Sequence, residues 1–287
     1  MKNFVFALLL IVFYQLDIHQ LLAQRRHNYI SFGPTLGATN YKGDLDDNNT
    51  IKFTKPGGGF VANYHFNPHM YLRMGYLYGQ IGAADSLSTD KKRKNRNLHF
   101  RSEIHEFQVN LVYDFIGSFG RSIFRPIVTP YVFTGLAVYR FNPQAQLNGK
   151  WYNLQPIGTE GQYLKGVEGT PKPYKLTQLN IPMGGGFKFR LGEKWDLAVE
   201  MGARKIFTDY LDDVSDRYAD PQEILRQQGA IPMQLSDRSV FTDFGANYSN
   251  SAYRENITRG FKNQKDWYFY SGFILTYVIE AKDKCPK

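Results

Sequence analysis

The sequence predicts an all-β chain: a signal peptide followed by an eight-stranded antiparallel up-and-down transmembrane β-barrel. Three observations lead there. Past residue 24, bulky apolar and small or polar side chains alternate with a period of two, as strands with two different faces require. The links between these runs are alternately short and long, as in a membrane barrel with tight turns at one end and loops at the other. The 20 Tyr, 22 Phe and 26 Gly of the 287 residues suit short strands and turns better than helices.

The first residues read as a targeting segment. Lys2 precedes an apolar run from Phe4 to Tyr14, Asp17 and His19 interrupt it, and Ala23 offers a small residue for cleavage. Residues 1–23 are therefore expected to be a signal peptide and 24–287 the barrel, an exported chain bound for the outer membrane. The apolar run falls short of the roughly 20 residues of a spanning helix. No cysteine follows Ala23 to carry a lipid anchor, and Cys285, the single cysteine, has no internal disulfide partner. The net charge of +9 includes Arg25, Arg26, the run Lys91–Lys94 and Arg96. On an exported protein such charge suits anionic lipid headgroups or lipopolysaccharide phosphates better than nucleic acid.

The eight strands follow in order. "YISFGPTLGA" sets Ile30, Phe32 and Leu36 against Ser31, Gly33 and Thr35; "GFVANYHF" sets Phe60, Ala62 and Tyr64 against Val61, Asn63 and His65. "YLRMGYLYG" places Leu72, Met74 and Tyr76 opposite Arg73 and Gly75. The clearest is "EFQVNLVYDF", where Phe107, Val109, Leu111 and Tyr113 alternate with Glu106, Gln108, Asn110 and Asp114. "PYVFTGLAVYRF" is apolar on both faces; placing Arg140 on the polar side puts Tyr131, Phe133, Tyr139 and Phe141 on the apolar one. The sixth strand sets Leu179, Ile181, Met183, Phe187 and Phe189 against Asn180, Gly184, Gly186 and Lys188. Trp195, Leu197, Val199 and Met201 form one face of the seventh, and Phe269, Phe273, Leu275, Tyr277 and Ile279 one face of the eighth.

The polar face of these strands is also the small one, whereas the other face is bulky and ends in aromatics such as Tyr64, Tyr78, Tyr113, Trp195 and Trp267. That suits a lipid-facing wall with aromatic girdles around a narrow interior, the OmpA/OmpX type of barrel. Alternation alone leaves a soluble barrel or sandwich open, and the mean hydropathy of −0.43 would fit one. "NPHM" and "LGEK" are the short turns, and the long loops span approximately residues 40–56, 82–96, 142–172 and 208–265. Both chain ends then lie on the periplasmic side. Inside eight strands there is room for side chains and little else, so Arg73, Arg140, Lys188 and Arg204 are expected to meet Glu106, Glu200 and Asp114 in a plugged lumen.

The constellations that suggest chemistry are weak. Ser102, Glu103, His105 and Glu106 imitate a hydrolase set, but Ser102 and His105 are three apart and point to opposite faces of a regular strand. Asp44 to Asn49 begins like a calcium loop, but Asn49 stands where glycine is needed and Lys55 where the bidentate glutamate belongs. Asp212, Asp213, Asp216 and Asp220 have the oxygens a calcium ion wants, but an acidic loop is more often solvated. The reading is non-enzymatic, with no cofactor or metal, and with Asp209, Tyr210, Asp212 and Asp213 as a candidate interaction motif on an outer loop.

Several stretches together, "YKGDL", "RNLHFRSEIHEFQVNLVYDF", "TPYVFTGLAVYRFNPQA", "NGKWYNLQPIGTEGQ" and "RKIFTDYLDDVSDRY", occur in an order that resembles the PorG-type outer-membrane barrels of the type IX secretion and gliding machinery of Bacteroidota. The resemblance runs over nearly the whole chain after residue 24. It implies a structural outer-membrane component that associates with a periplasmic ring of a lipoprotein and its partner protein. It carries over no catalytic residue.

Overall fold

The computed structural model describes residues 28–45, 53–117, 125–239, 258–260 and 265–280. Residues 1–23, expected to be a signal peptide, with Ala23, the pair Arg25 and Arg26, and Cys285 lie outside the described residues. Among the described residues nine strands form: β1 (Tyr29–Lys42), β2 (Lys55–His65), β3 (Met70–Ala84), β4 (His99–Asp114), β5 (Val128–Leu147), β6 (Lys150–Asn153), β7 (Thr177–Arg190), β8 (Trp195–Ile206) and β9 (Trp267–Glu280). Each barrel strand pairs antiparallel with the next, and β9 returns to β1, so the sheet closes on eight strands; β6 only folds back on the end of β5. Closure leaves none of the eight barrel strands as an open edge of the sheet.

The register fixes the barrel's shape. Direct neighbours lead from Ile30 through Tyr64, Leu72, Leu111, Thr134, Met183, Ala203 and Phe269 back to β1 at Asn40, ten residues beyond the start. A stagger of that size over eight strands tilts them by roughly 40° to the axis. On β9, Tyr277 and Trp267 face outward ten positions apart, which separates the two aromatic rows by roughly 25 Å along the axis, the height of a barrel's apolar band. Phe32, Phe60, Phe107, Leu136, Leu179, Met201 and Phe273 fill the wall between them, each about half exposed or more. Among the described residues no helix is long and apolar enough to cross a membrane.

Burial alternates without interruption along β4, where Ser102, Ile104, Glu106, Gln108, Asn110 and Val112 point in. The fifth strand runs with the opposite parity to that expected. Tyr131, Phe133, Tyr139 and Phe141 are buried inside the barrel, while Val132, Leu136, Val138 and Arg140 face out. The reason lies in its neighbours. A Cβ on Gly184 would meet the Phe133 ring at 2.8 Å and the Met201 carbonyl oxygen at 2.3 Å, so the glycines of β7 and β8 hollow a space that only an inward aromatic fills. Gly184→Val therefore overpacks the lumen; we expect a loss of about 1–3 kcal/mol in urea unfolding from detergent, whereas an unchanged midpoint would show that the space is slack.

The strands also overrun the predicted loop boundaries. At 20 residues β5 is about twice the length that crosses a bilayer, so β3, β4 and β5 stand well beyond the wall's apolar band. Above them lie α1 (Lys91–Arg96), capped by Asp90, and α2 (Pro221–Gln228) and α3 (Ala230–Ser236) in the last long link.

Candidate functional site: the filled lumen and the loop-end cap

Charged pairs bridge the lumen in tiers. Nearest the turn end Arg125 pairs with Asp196 and donates to the Glu193 carbonyl at 2.6 Å. Lys188 meets Asp114, and Arg73 meets Glu200, which also accepts from the Tyr131 hydroxyl at 2.8 Å. Arg73 is further held by Asn63 at 3.2 Å and lies 5.5 Å from the Tyr131 ring centre. The next tier joins Arg204 to Glu106 at 3.4 Å, with Asn180 donating to the same carboxylate at 3.0 Å and Tyr268 completing it. Arg140 takes no part: with the parity of β5 reversed it is exposed on the wall. Small inward residues make room for these long side chains, and the hydrogen bonds around each ion offset part of its desolvation.

Above the charged tiers the lumen turns apolar. Tyr41, Ile81, Phe100, Ile104, Tyr139, Phe141, Ile206 and Tyr268 pack into one buried cluster that stoppers the barrel. Among the described residues this cluster fills the upper lumen.

The stretch Thr208–Asp220 folds back over this stopper. Asp209, Asp212 and Asp213 are buried, not solvated, and Tyr210 is half-buried, stacked 4.7 Å from the Tyr174 ring. Asp212 accepts from the Tyr41 hydroxyl at 2.5 Å and from the Val214 amide at 3.0 Å. Asp213, held in the left-handed region at φ 68°, accepts from Thr159 at 2.5 Å and Tyr174 at 2.6 Å and lies 3.7 Å from Arg259. Arg259 also meets Glu160 at 3.2 Å, and Glu160 receives the Ser215 amide at 2.8 Å. Asp209 accepts from the Ser215 hydroxyl, and Asp266 from the Leu211 amide. On the other side of the cap Arg96 grips Asp85 with two nitrogens at 2.7 and 2.8 Å and donates to the carbonyls of Asp44 and Arg259. One network thus ties all four long links together. The acidic stretch is its hub, so most of it is spent inside the cap rather than offered as a contact surface.

Burial raises the affinity of these carboxyls for protons. Asp209 is pushed up to about 7, chiefly by burial and with help from Asp44, against the Ser215 hydrogen bond and Lys265. Asp212 and Asp266 are raised by burial and by neighbouring carboxylates; Asp213 is raised by burial despite Arg259. An opened cap would let all of them ionise near the ordinary value of about 4. The cap is therefore most stable below that value and loses stability as pH rises toward 7. Limited proteolysis of the long links should accelerate from pH 5 to about pH 8; constant or slowing cleavage would contradict the assignment.

Other candidates come apart. Ser102 is buried and accepts from the Asn142 amide at 2.9 Å, while His105 faces outward to the Tyr76 hydroxyl at 2.8 Å. Register from Arg101 to Asp114 is unbroken, so no bulge brings the two together. Asp220 caps α2 through the Gln222 amide, and among the described residues no group of His, Cys, Asp or Glu is placed to hold a metal ion. Sequence reasoning missed Glu160, Arg259, Asp85 and Arg96 as members of the hub; their partners lie up to 163 residues away, beyond any local signal.

Wall, charged lumen and cap together define a small closed barrel of the membrane-spanning kind, solid inside and roofed at one end. The chain belongs to the family described as a domain of unknown function, DUF6089, whose model matches residues 3–249. It is similar to the N-terminal β-barrel domain of Pseudomonas aeruginosa OprF, with 10% identity over 89% of this chain and 100% of that one and a TM-score of 0.35. Neisserial surface protein A is 9% identical over 87% and 96% of the two chains, with a TM-score of 0.40. Ail, the attachment invasion locus protein of Yersinia pestis, solved with the heparin analogue sucrose octasulfate, is 10% identical over 89% and 100%, with a TM-score of 0.37. No curated protein matches the sequence.

Proposed function

We propose that this chain is a structural, non-enzymatic outer-membrane component of the type IX protein secretion and gliding machinery, whose turn end associates with a periplasmic ring of a lipoprotein and its partner protein. In this reading residues 1–23 are removed near Ala23, both termini lie in the periplasm, and the cap faces outside. The observation that carries the structural role is the filled lumen: charged tiers and an aromatic stopper occupy the space that a pore or an active site would need. The apolar wall between aromatic rows supports the membrane location. The ordered stretches from "YKGDL" to "RKIFTDYLDDVSDRY" support the link to secretion.

A pull-down from detergent-solubilised envelope tests it. Mass spectrometry should find a periplasmic lipoprotein complex with the native chain, lost on altering residues 116–128 or the basic tail after Glu280. Absence of that complex, together with normal cargo export in a deletion strain, would leave only a generic envelope-stabilising or adhesive barrel.

A further inference from the structure

The outer wall carries charges that neither lumen nor cap employs. Lys42 on β1, Arg101 on β4, Arg140 on β5, Lys175 just ahead of β7 and Lys205 on β8 all occupy outward positions and are exposed. Register sets their level. Lys42 and Lys205 both lie opposite Trp267 of the upper aromatic row, Arg140 lies opposite His105 and Thr177, and Arg101 lies opposite Gln144. They therefore ring the barrel where the apolar band ends. Among the described residues no carboxylate forms an ion pair with any of them, and Glu103 is an acid on the same part of the wall. Arg101 instead stacks 3.7 Å from the Trp151 ring centre.

Beside this row the wall is indented. A groove of about 900 Å³ runs obliquely past Phe32, Phe60, Met74, Phe107, Leu136 and Leu179. Its upper end is the cross-strand pair Val138 and Leu179, two residues from Arg140 along β5 and two from Thr177 along β7. A row of cations that forms no ion pair with a carboxylate among the described residues, set at the level of headgroups above an apolar trough, matches a molecule with an anionic head and a hydrocarbon tail.

We propose that this wall binds a phosphate-bearing lipid of the leaflet on the loop side, its phosphate groups met by Arg140 with Lys175 on one side and Lys205 on the other, and an acyl chain lying in the groove. Arginine suits the role because its planar fork grips phosphate with two donors. The proposal rests on the membrane-barrel part of the reading above, not on the secretion role, and is tested on purified protein, so its failure is separate from a failure of localisation or of the pull-down.

The test uses the full chain in non-ionic detergent with three probes: bis-phosphorylated lipid A, the same lipid dephosphorylated, and inorganic phosphate. We expect the phosphorylated lipid to bind at least about tenfold tighter than the dephosphorylated one. The combined Arg140→Gln, Lys175→Gln and Lys205→Gln variant should weaken it on the order of a hundredfold while keeping the heat-modifiable migration of a folded barrel. Arg140→Lys should hold a charge there but lose the bidentate grip, a loss of a few-fold. In the native protein, rising salt should weaken the phosphorylated lipid and spare the other, a readout independent of whether the variants fold. Equal affinity for the two lipids, insensitivity to salt, or native affinity in the folded triple variant would overturn the proposal. Displacement of the lipid by an equal concentration of inorganic phosphate would assign the cations to a free anion and also overturn it.

Discussion

Glu200→Leu should unfold in urea at a much lower concentration than the native barrel, a loss of about 3–5 kcal/mol, because it strands the Arg73 guanidinium in the lumen. Arg73 is only 3% exposed, and water does not reach it to replace the lost carboxylate. The Tyr131 hydroxyl loses its acceptor in the same step. Adding Arg73→Met to the variant should restore most of the loss, since an apolar pair of similar volume removes the orphaned charge rather than tolerating it. Urea titration in detergent, followed by the heat-modifiable shift on gels, measures both. A single variant as stable as the native chain would mean that the lumen is wet and that Arg73 is solvated.

Asp213→Ala should instead open the cap and leave the barrel standing. The change removes acceptors for Thr159 and Tyr174, deprives Arg259 of one of its two anions, and puts a Cβ residue without local hydrogen bonds at φ 68°. We expect a local loss of about 3–5 kcal/mol, seen as fast proteolysis of the long links with a barrel urea midpoint close to native. The aromatic stopper around Tyr139, Phe141 and Tyr268 separates the two regions, which is why they should respond separately. Asp213→Asn, which tolerates the left-handed backbone, should fall between. Simultaneous collapse of cap and barrel would show that they form one cooperative unit.

These two outcomes probe parts of the molecule that the sequence exposes very unequally. Parity along β4 was readable because Gln108 and Asn110 stand between Phe107, Val109 and Leu111, so only one face suits lipid. The same reasoning had no purchase on β5, where Tyr131 and Phe133 alternate with Val132 and Leu136 and both faces are apolar. There the decision came from across the sheet, from the missing side chains of Gly184 and Gly202 and the carboxylate of Glu200. Arg140 followed the strand to the outside, and its long stem lets it lie on the wall while the charge reaches the headgroup level.

The cap was the least legible. "TDYLDDVSDRYAD" looks like a solvated acidic loop when only its own residues are weighed. Its burial depends on Tyr41 at the end of β1, on Thr159 and Tyr174 in the link before β7, and on Arg259 and Asp266 at the far end of its own link, none of them in a periodic relation to it. The overlong strands belong to the same problem. Once the cap shelters the ends of β3, β4 and β5, their backbone can stay paired beyond the band that lipid covers.

The account as a whole depends on which face of the strands meets lipid. A nitroxide scan along β4 in reconstituted bilayers, with Cys285 first replaced by serine, reads this residue by residue. Labels at Phe107, Val109 and Leu111 should collide with oxygen dissolved in the hydrocarbon and not with a water-soluble relaxant, while labels at Gln108 and Asn110 should be shielded from both. Strong contact of Val109 and Leu111 with the water-soluble agent would contradict the barrel's placement in a membrane.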